Sequence, residues 1–129
     1  MNITVVLDGS ALRAYARLES VSVGELMQTV AEDGDLAGIP VLALVDLWPD
    51  LGKEEQDLLT DLIGRADSPV QVLPMHTDLV PAVAAPARAL GHGPAHAVAT
   101  VQDLGATLAT FHPDHYADAL DPYDILELS

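Results

Sequence analysis

The side chains best placed by type and position to do chemistry are two carboxylates at the ends of apolar runs and a group of histidines. Asp8 closes the run Ile3 to Leu7 and is followed by Gly9 and Ser10. A carboxylate there can cap the start of a helix or ligate a hard cation, and taken alone the capping role is the plainer one. Asp46 ends the almost wholly apolar stretch from Ile39 to Val45. A charge in that place is costly unless it is paired, solvated or metal-bound, and Trp48 and Pro49 beside it also allow a simple exposed edge. Four of the five histidines, His92, His96, His112 and His115, fall between residues 92 and 115. Imidazole ligands would favour Mn²⁺, Fe²⁺ or Zn²⁺ over Mg²⁺. His92 and His96 are separated by Gly93 and Pro94, so their spacing does not guarantee one helix face.

Three stretches together resemble the PIN family of metal-dependent nucleases, in particular its bacterial, toxin-type ribonuclease relatives. The first is Val5-Val6-Leu7-Asp8-Gly9-Ser10-Ala11-Leu12, a strand ending in Asp, then a small residue and a Ser opening a helix. The second is Ile39-Pro40-Val41-Leu42-Ala43-Leu44-Val45-Asp46, Pro and apolar residues leading to an acid. The third joins Pro94-Ala95-His96-Ala97-Val98-Ala99 to Leu104-Gly105-Ala106-Thr107-Leu108-Ala109-Thr110 and then Pro113 to Tyr116. The likeness spans residue 3 to about residue 118.

PIN nucleases hold a divalent cation, Mg or Mn, in a ring of carboxylates that activates water against a phosphodiester. The resemblance implies that Asp8 and Asp46 are the catalytic and metal-binding acids, with Ser10 in support. Two further acids are missing. None stands between Gly91 and Gly93, and His112 occupies the place of the fourth. Asp114 or His112 is the nearest substitute ligand, while Asp78 and Asp103 would have to come from elsewhere in the fold. Surface solvation is the better account of Asp103 and Asp114. His96 matches a family histidine that is not a ligand, so plain loss of the site ranks ahead of a histidine-altered one. Losing half the anionic ligands should weaken Mg²⁺ binding severely.

The resemblance therefore implies a PIN-like protein, catalytically impaired or inactive, that acts through a protein partner or as a homodimer in a regulatory or toxin–antitoxin-like role. The alternative is a metal-dependent endoribonuclease that completes its shell around Asp8 and Asp46. A third reading is a small-molecule or nucleotide-binding domain that uses the emptied cleft and a helix N-terminus as an anion site.

Composition limits these options. Half the residues of this 129-residue chain are hydrophobic, enough for one domain, expected over residues 1–129, to bury a core unaided. No cysteine is present, which removes disulfides, zinc fingers, iron–sulfur clusters and thiol catalysis. The net charge of −15 opposes RNA and anionic membrane over most of the surface, and the dispersed Arg13, Arg17, Arg65 and Arg88 form no phosphate-tracking patch. The opening residues MNITVVLDG do not read as a targeting peptide, and no apolar run reaches bilayer length, so a cytoplasmic setting is expected.

The elements that must position these residues follow from the apolar pattern. Ile3 to Leu7 reads as a buried parallel strand, with Ser10 capping a helix to about Leu18. Ser22 and Glu25 form a capping box for a helix that carries Val23, Leu26, Met27 and Val30 and stops at Gly34. Pro40 at a helical first position assigns Ile39 to Leu51 to helix. Further helices are expected over Lys53 to Arg65, within Thr77 to Leu90 despite Pro81 and Pro86, from Gly93 to Leu104, and briefly from Pro113. Strands are expected at Val70 to Leu73, Ala106 to Phe111 and Ile125 to Leu128. This order predicts an α/β, three-layer Rossmann-like PIN fold, a central parallel sheet of about four to five strands with helices on both faces. Asp8 and His112 would then meet at the carboxyl ends of the strands, near the switch point.

Overall fold

The computed structural model describes residues 2–129. Five parallel strands form one sheet in the order β3-β2-β1-β4-β5, with β1 at Ile3–Leu7, β2 at Leu36–Pro40, β3 at Val70–Leu73, β4 at Thr107–Thr110 and β5 at Ile125–Glu127. Six α-helices connect them: α1 (Gly9–Ala16), α2 (Ser22–Glu32), α3 (Val41–Leu47), α4 (Lys53–Gly64), α5 (Val80–Leu90) and α6 (His92–Leu104). Single 3₁₀ turns lie at Trp48–Asp50, Thr77–Leu79, Pro113–Tyr116 and Pro122–Asp124.

Alternation along β1 separates two cores. Val5 and Leu7 pack with Ala11, Leu12, Val23, Met27, Leu59 and Leu62 from α1, α2 and α4. Val6 points the other way, against Ala97, Val98 and Val101 of α6 and against Tyr116 and Leu120 beyond β4. Both faces of the sheet are thus covered, which is why its strands are apolar runs rather than alternating ones. The chain leaves β1 in one direction for β2 and β3 and in the other for β4 and β5. The switch point therefore lies between β1 and β4, paired through Val5 with Thr107 and Leu7 with Ala109.

Three local expectations need correction. The run Ile39 to Leu51 is not one helix: Leu36–Pro40 is the second strand, and α3 begins only at Val41, with Pro40 as its N-cap. A fully apolar run bordered by two strands is satisfied as a central strand, and the proline is tolerated because the β1 ladder ends at Gly38, two residues earlier. Ser10 does not cap α1; Asp8 does, accepting a hydrogen bond from the Ala11 amide. Ser22 does not cap α2 either. The residue before that helix is Val21, and the Ser22 hydroxyl instead donates to the Ser129 carbonyl oxygen at 2.9 Å. Gly105 stops α6 in the left-handed conformation, as a glycine at that position should. The Thr77 to Leu90 segment begins late: the 3₁₀ turn precedes α5, and Pro81 sits harmlessly in its first turn.

Candidate functional site

Strand β1 delivers Asp8 to the carboxyl edge of the sheet, and helix α1 starts on it. The side chain is only 3% exposed, so its charge must be met by nearby donors. Four donors meet it. Oδ1 accepts from the Ser10 hydroxyl at 2.6 Å and the Ala11 amide at 3.0 Å. Oδ2 accepts from the Thr110 hydroxyl at 2.7 Å and the Tyr116 phenol at 2.8 Å. A carboxylate has about four lone-pair positions, so none is left over. The hydroxyls also work in the other direction: Ser10 Oγ accepts from the Phe111 amide at 3.0 Å, and Thr110 Oγ1 from the His112 amide at 3.0 Å. Asp8 is thereby tied to the exit of β4 through two side chains.

Tyr116 reaches Asp8 from the 3₁₀ turn Pro113–Tyr116 and is itself buried. Burial, then the Asp8 charge and the hydrogen bond to it, all push the phenol well above its ordinary range, so it is a fixed donor.

Asp46, in the last turn of α3, is exposed. Its Oδ2 accepts from the Gly93 amide at 2.8 Å, in the first turn of α6. The carboxylate thus caps a helix from a different element, where negative charge is favourable. The close approach needs glycine: a β-carbon on Gly93 would stand 2.8 Å from Asp46 Oδ2, 3.0 Å from Ala43 Cα and 3.3 Å from the Leu42 carbonyl oxygen.

A cleft of about 320 Å³ lies between these two acids, lined also by Arg13, His112 and His115. Asp8 and His112 are neighbours there, as the switch-point rule predicts. Asp114 does not line it and opens instead on a separate depression with Pro113, Ala117 and Leu120. Asp103 is exposed at another depression near Leu73 and His76. His92 faces an apolar groove beside Met75 and Val83. Arg13 on α1 and Arg17, the residue that ends it, make ion pairs with Asp50 at 3.5 Å and Glu55 at 3.3 Å.

As arranged, this donor set does not fit a hard divalent cation. Asp8 would have to release one of its hydrogen bonds to bind one, and among the described residues no group of three His, Cys, Asp or Glu side chains is placed to hold a metal. Residue-type reasoning missed three participants, Thr110, Tyr116 and Gly93. Thr110 was within reach, because it ends the strand beside β1. Tyr116 and Gly93 carry no comparable signal in the sequence.

His96 is fully buried on α6, and its Nδ1 accepts from the Leu42 amide at 3.3 Å. The proton of the neutral ring therefore sits on Nε2, which faces the Pro74 carbonyl without making a well-formed hydrogen bond. Burial lowers the His96 pKa below its ordinary 6.5, outweighing the opposing pull of Pro74. The unfolded chain then binds the proton more readily than the folded one. Stability is complete above about pH 6.5 and falls as pH drops towards the lower folded value, by at most ~1.4 kcal/mol per pH unit from this group. Urea midpoints of wild type and His96→Gln across that window should differ in slope, the variant being the flatter.

No family model and no curated protein matches the sequence. Among solved structures, the chain is similar to VapBC2 from Rickettsia felis, determined bound to a DNA fragment from their promoter. The identity is 13%, each chain is covered over 98% of its length, and the TM-score is 0.68. At that identity the likeness speaks to fold. The five-stranded parallel sheet with its six helices is a PIN-like fold, as the three sequence motifs implied.

Proposed function

We propose that this chain is a PIN-like protein, impaired or inactive as a nuclease, that acts by binding a protein partner in a regulatory, toxin–antitoxin-like role. What carries the reading is the state of Asp8: every lone pair of the acid best placed to hold a catalytic cation is engaged by the chain's own donors. Asp46 is left without a second free carboxylate to share a metal, and no acid stands at Gly91 to Gly93 or at His112. The charge of −15 also disfavours RNA as the partner. The solved VapBC2 assembly lends the partner-binding half of the proposal its plausibility, by analogy of fold.

Single-stranded RNA cleavage in Mg²⁺ or Mn²⁺, measured for wild type and Asp46→Ala, tests the catalytic half. Asp46 is the acid to change, because it is exposed and its removal is expected to cost the fold only one capping hydrogen bond. The expected result is no difference between the two proteins. Metal-dependent cleavage that disappears with Asp46 would establish the endoribonuclease alternative instead. The partner half is tested by affinity recovery of the tagged chain from its own cells, where a stoichiometric protein, or a second copy of the chain, should accompany it.

A further inference from the structure

We propose that Asp8 is the centre of a metal-independent clasp, in which Tyr116 and Thr110 take the coordination positions that a cation would need. Three observations lead there. The carboxylate is buried at the switch point, where a bare charge would be costly, yet it has four short hydrogen bonds. The donors come from three separate parts of the chain: the start of α1, the end of β4, and the 3₁₀ turn that follows β4. Two of the three hydroxyls pass the restraint on, since Ser10 and Thr110 each accept a backbone amide from the residues leaving β4.

The proton count closes. Ser10, Thr110 and Tyr116 each have one hydroxyl proton, and each is donated to Asp8. The 3.3 Å contact between Ser10 and Thr110 then has no proton of its own and is only a close approach between two acceptors held by a common partner. Tyr116 is the closing member. Its ring is packed among Val6, Val98 and Leu108, so the phenol cannot swing away without opening that core. The work a cation would do at this point, stabilising a buried carboxylate and drawing two strand ends together, is done by hydroxyls.

The proposal rests on the part of the functional reading that leaves the cleft without a bound cation, and is independent of any partner. Its test uses the full, isotope-labelled chain. Mn²⁺ is titrated in at constant ionic strength while backbone resonances are followed for paramagnetic broadening. Broadening is expected only at exposed acidic surface. Selective broadening of Leu7 to Ala11 together with Thr110 to His112 at low Mn²⁺ would overturn the clasp, and this arm needs no variant.

Melting temperatures supply the second arm. Tyr116→Phe keeps the ring and removes only the donor, and Thr110→Val does the same at the other Oδ2 partner. Each is expected to lower Tm by roughly 5 °C, with or without EDTA. A Tyr116→Phe protein as stable as wild type would sink the proposal. Failure of either variant to fold would be the expected loss of stability in its larger form and would support the clasp. Asp46-dependent RNA cleavage without broadening at Asp8 would defeat the functional reading and leave the clasp intact, whereas broadening at Asp8 without cleavage would do the reverse.

Discussion

Replacing Asp8 by alanine is expected to destabilise the fold by about 3–5 kcal/mol, and to do so equally in EDTA and in Mg²⁺. The cost comes from what the substitution leaves behind. The Tyr116 phenol and Thr110 hydroxyl lose their acceptor inside a packed region, and each buried donor without a partner costs about 1–3 kcal/mol. Ser10 loses its acceptor beside the cleft, where water can replace part of the interaction, and the buried Ala11 amide loses its helix cap. For a chain of this size the sum corresponds to a fall in Tm of roughly 10–20 °C.

Asp46→Ala should behave differently. It leaves one amide at the start of α6 to solvent, which typically costs about 1 kcal/mol. In a shared metal centre the two acids would be linked, and each loss would be felt mainly when the cation is present. Denaturant midpoints for both variants, with and without divalent ions, therefore separate the two arrangements. A ratio near one that appears only in Mg²⁺ would refute the expectation.

How far the sequence could go is visible in individual residues. Asp8 declares itself because the run Ile3 to Leu7 is too apolar to be anything but a buried strand, and a charge at its end must be accounted for. That two roles were open, cap or ligand, is also legible, and the structure realises the cap. The helix α6 is bounded as its Gly and Pro residues indicate. The second strand is hidden for a physical reason: a five-residue apolar strand running directly into an apolar helix has no polar punctuation, and Pro40 fits the end of one and the beginning of the other equally well. Tyr116 was equally hidden. It lies far from Asp8 in sequence, and only the crossing from β1 to β4 brings its 3₁₀ turn over the carboxylate. A tyrosine there reads as core from its spacing, which it is, and its hydroxyl is the part that sequence does not place.

An acid introduced at Gly93 is expected to be rejected by the packing around that residue. The stretch Gly91 to Gly93 is where the PIN resemblance expects a carboxylate, and its absence looks like a simple deletion of function until the packing is considered. Helix α6 comes so close to α3 that a β-carbon on Gly93 would press on Ala43 Cα and the Leu42 carbonyl, both backbone atoms, and on Asp46 Oδ2. Backbone cannot move aside as a flexible side chain can, and overpacking of this kind costs about 1–3 kcal/mol. Gly93→Ala should lose stability at the upper end of that range, because the displaced atoms include the carboxylate oxygen that caps α6. Gly93→Asp should lose more, since it adds a like charge beside Asp46 without room to share a cation. Thermal melts of the two variants in EDTA and in Mn²⁺ make the comparison. If Gly93→Asp is the less stable in both conditions, α6 packing against α3 and a carboxylate at this position are mutually exclusive in this chain. If Mn²⁺ rescues Gly93→Asp above Gly93→Ala, the cleft still has the dimensions of a metal centre, and only the charge had been removed.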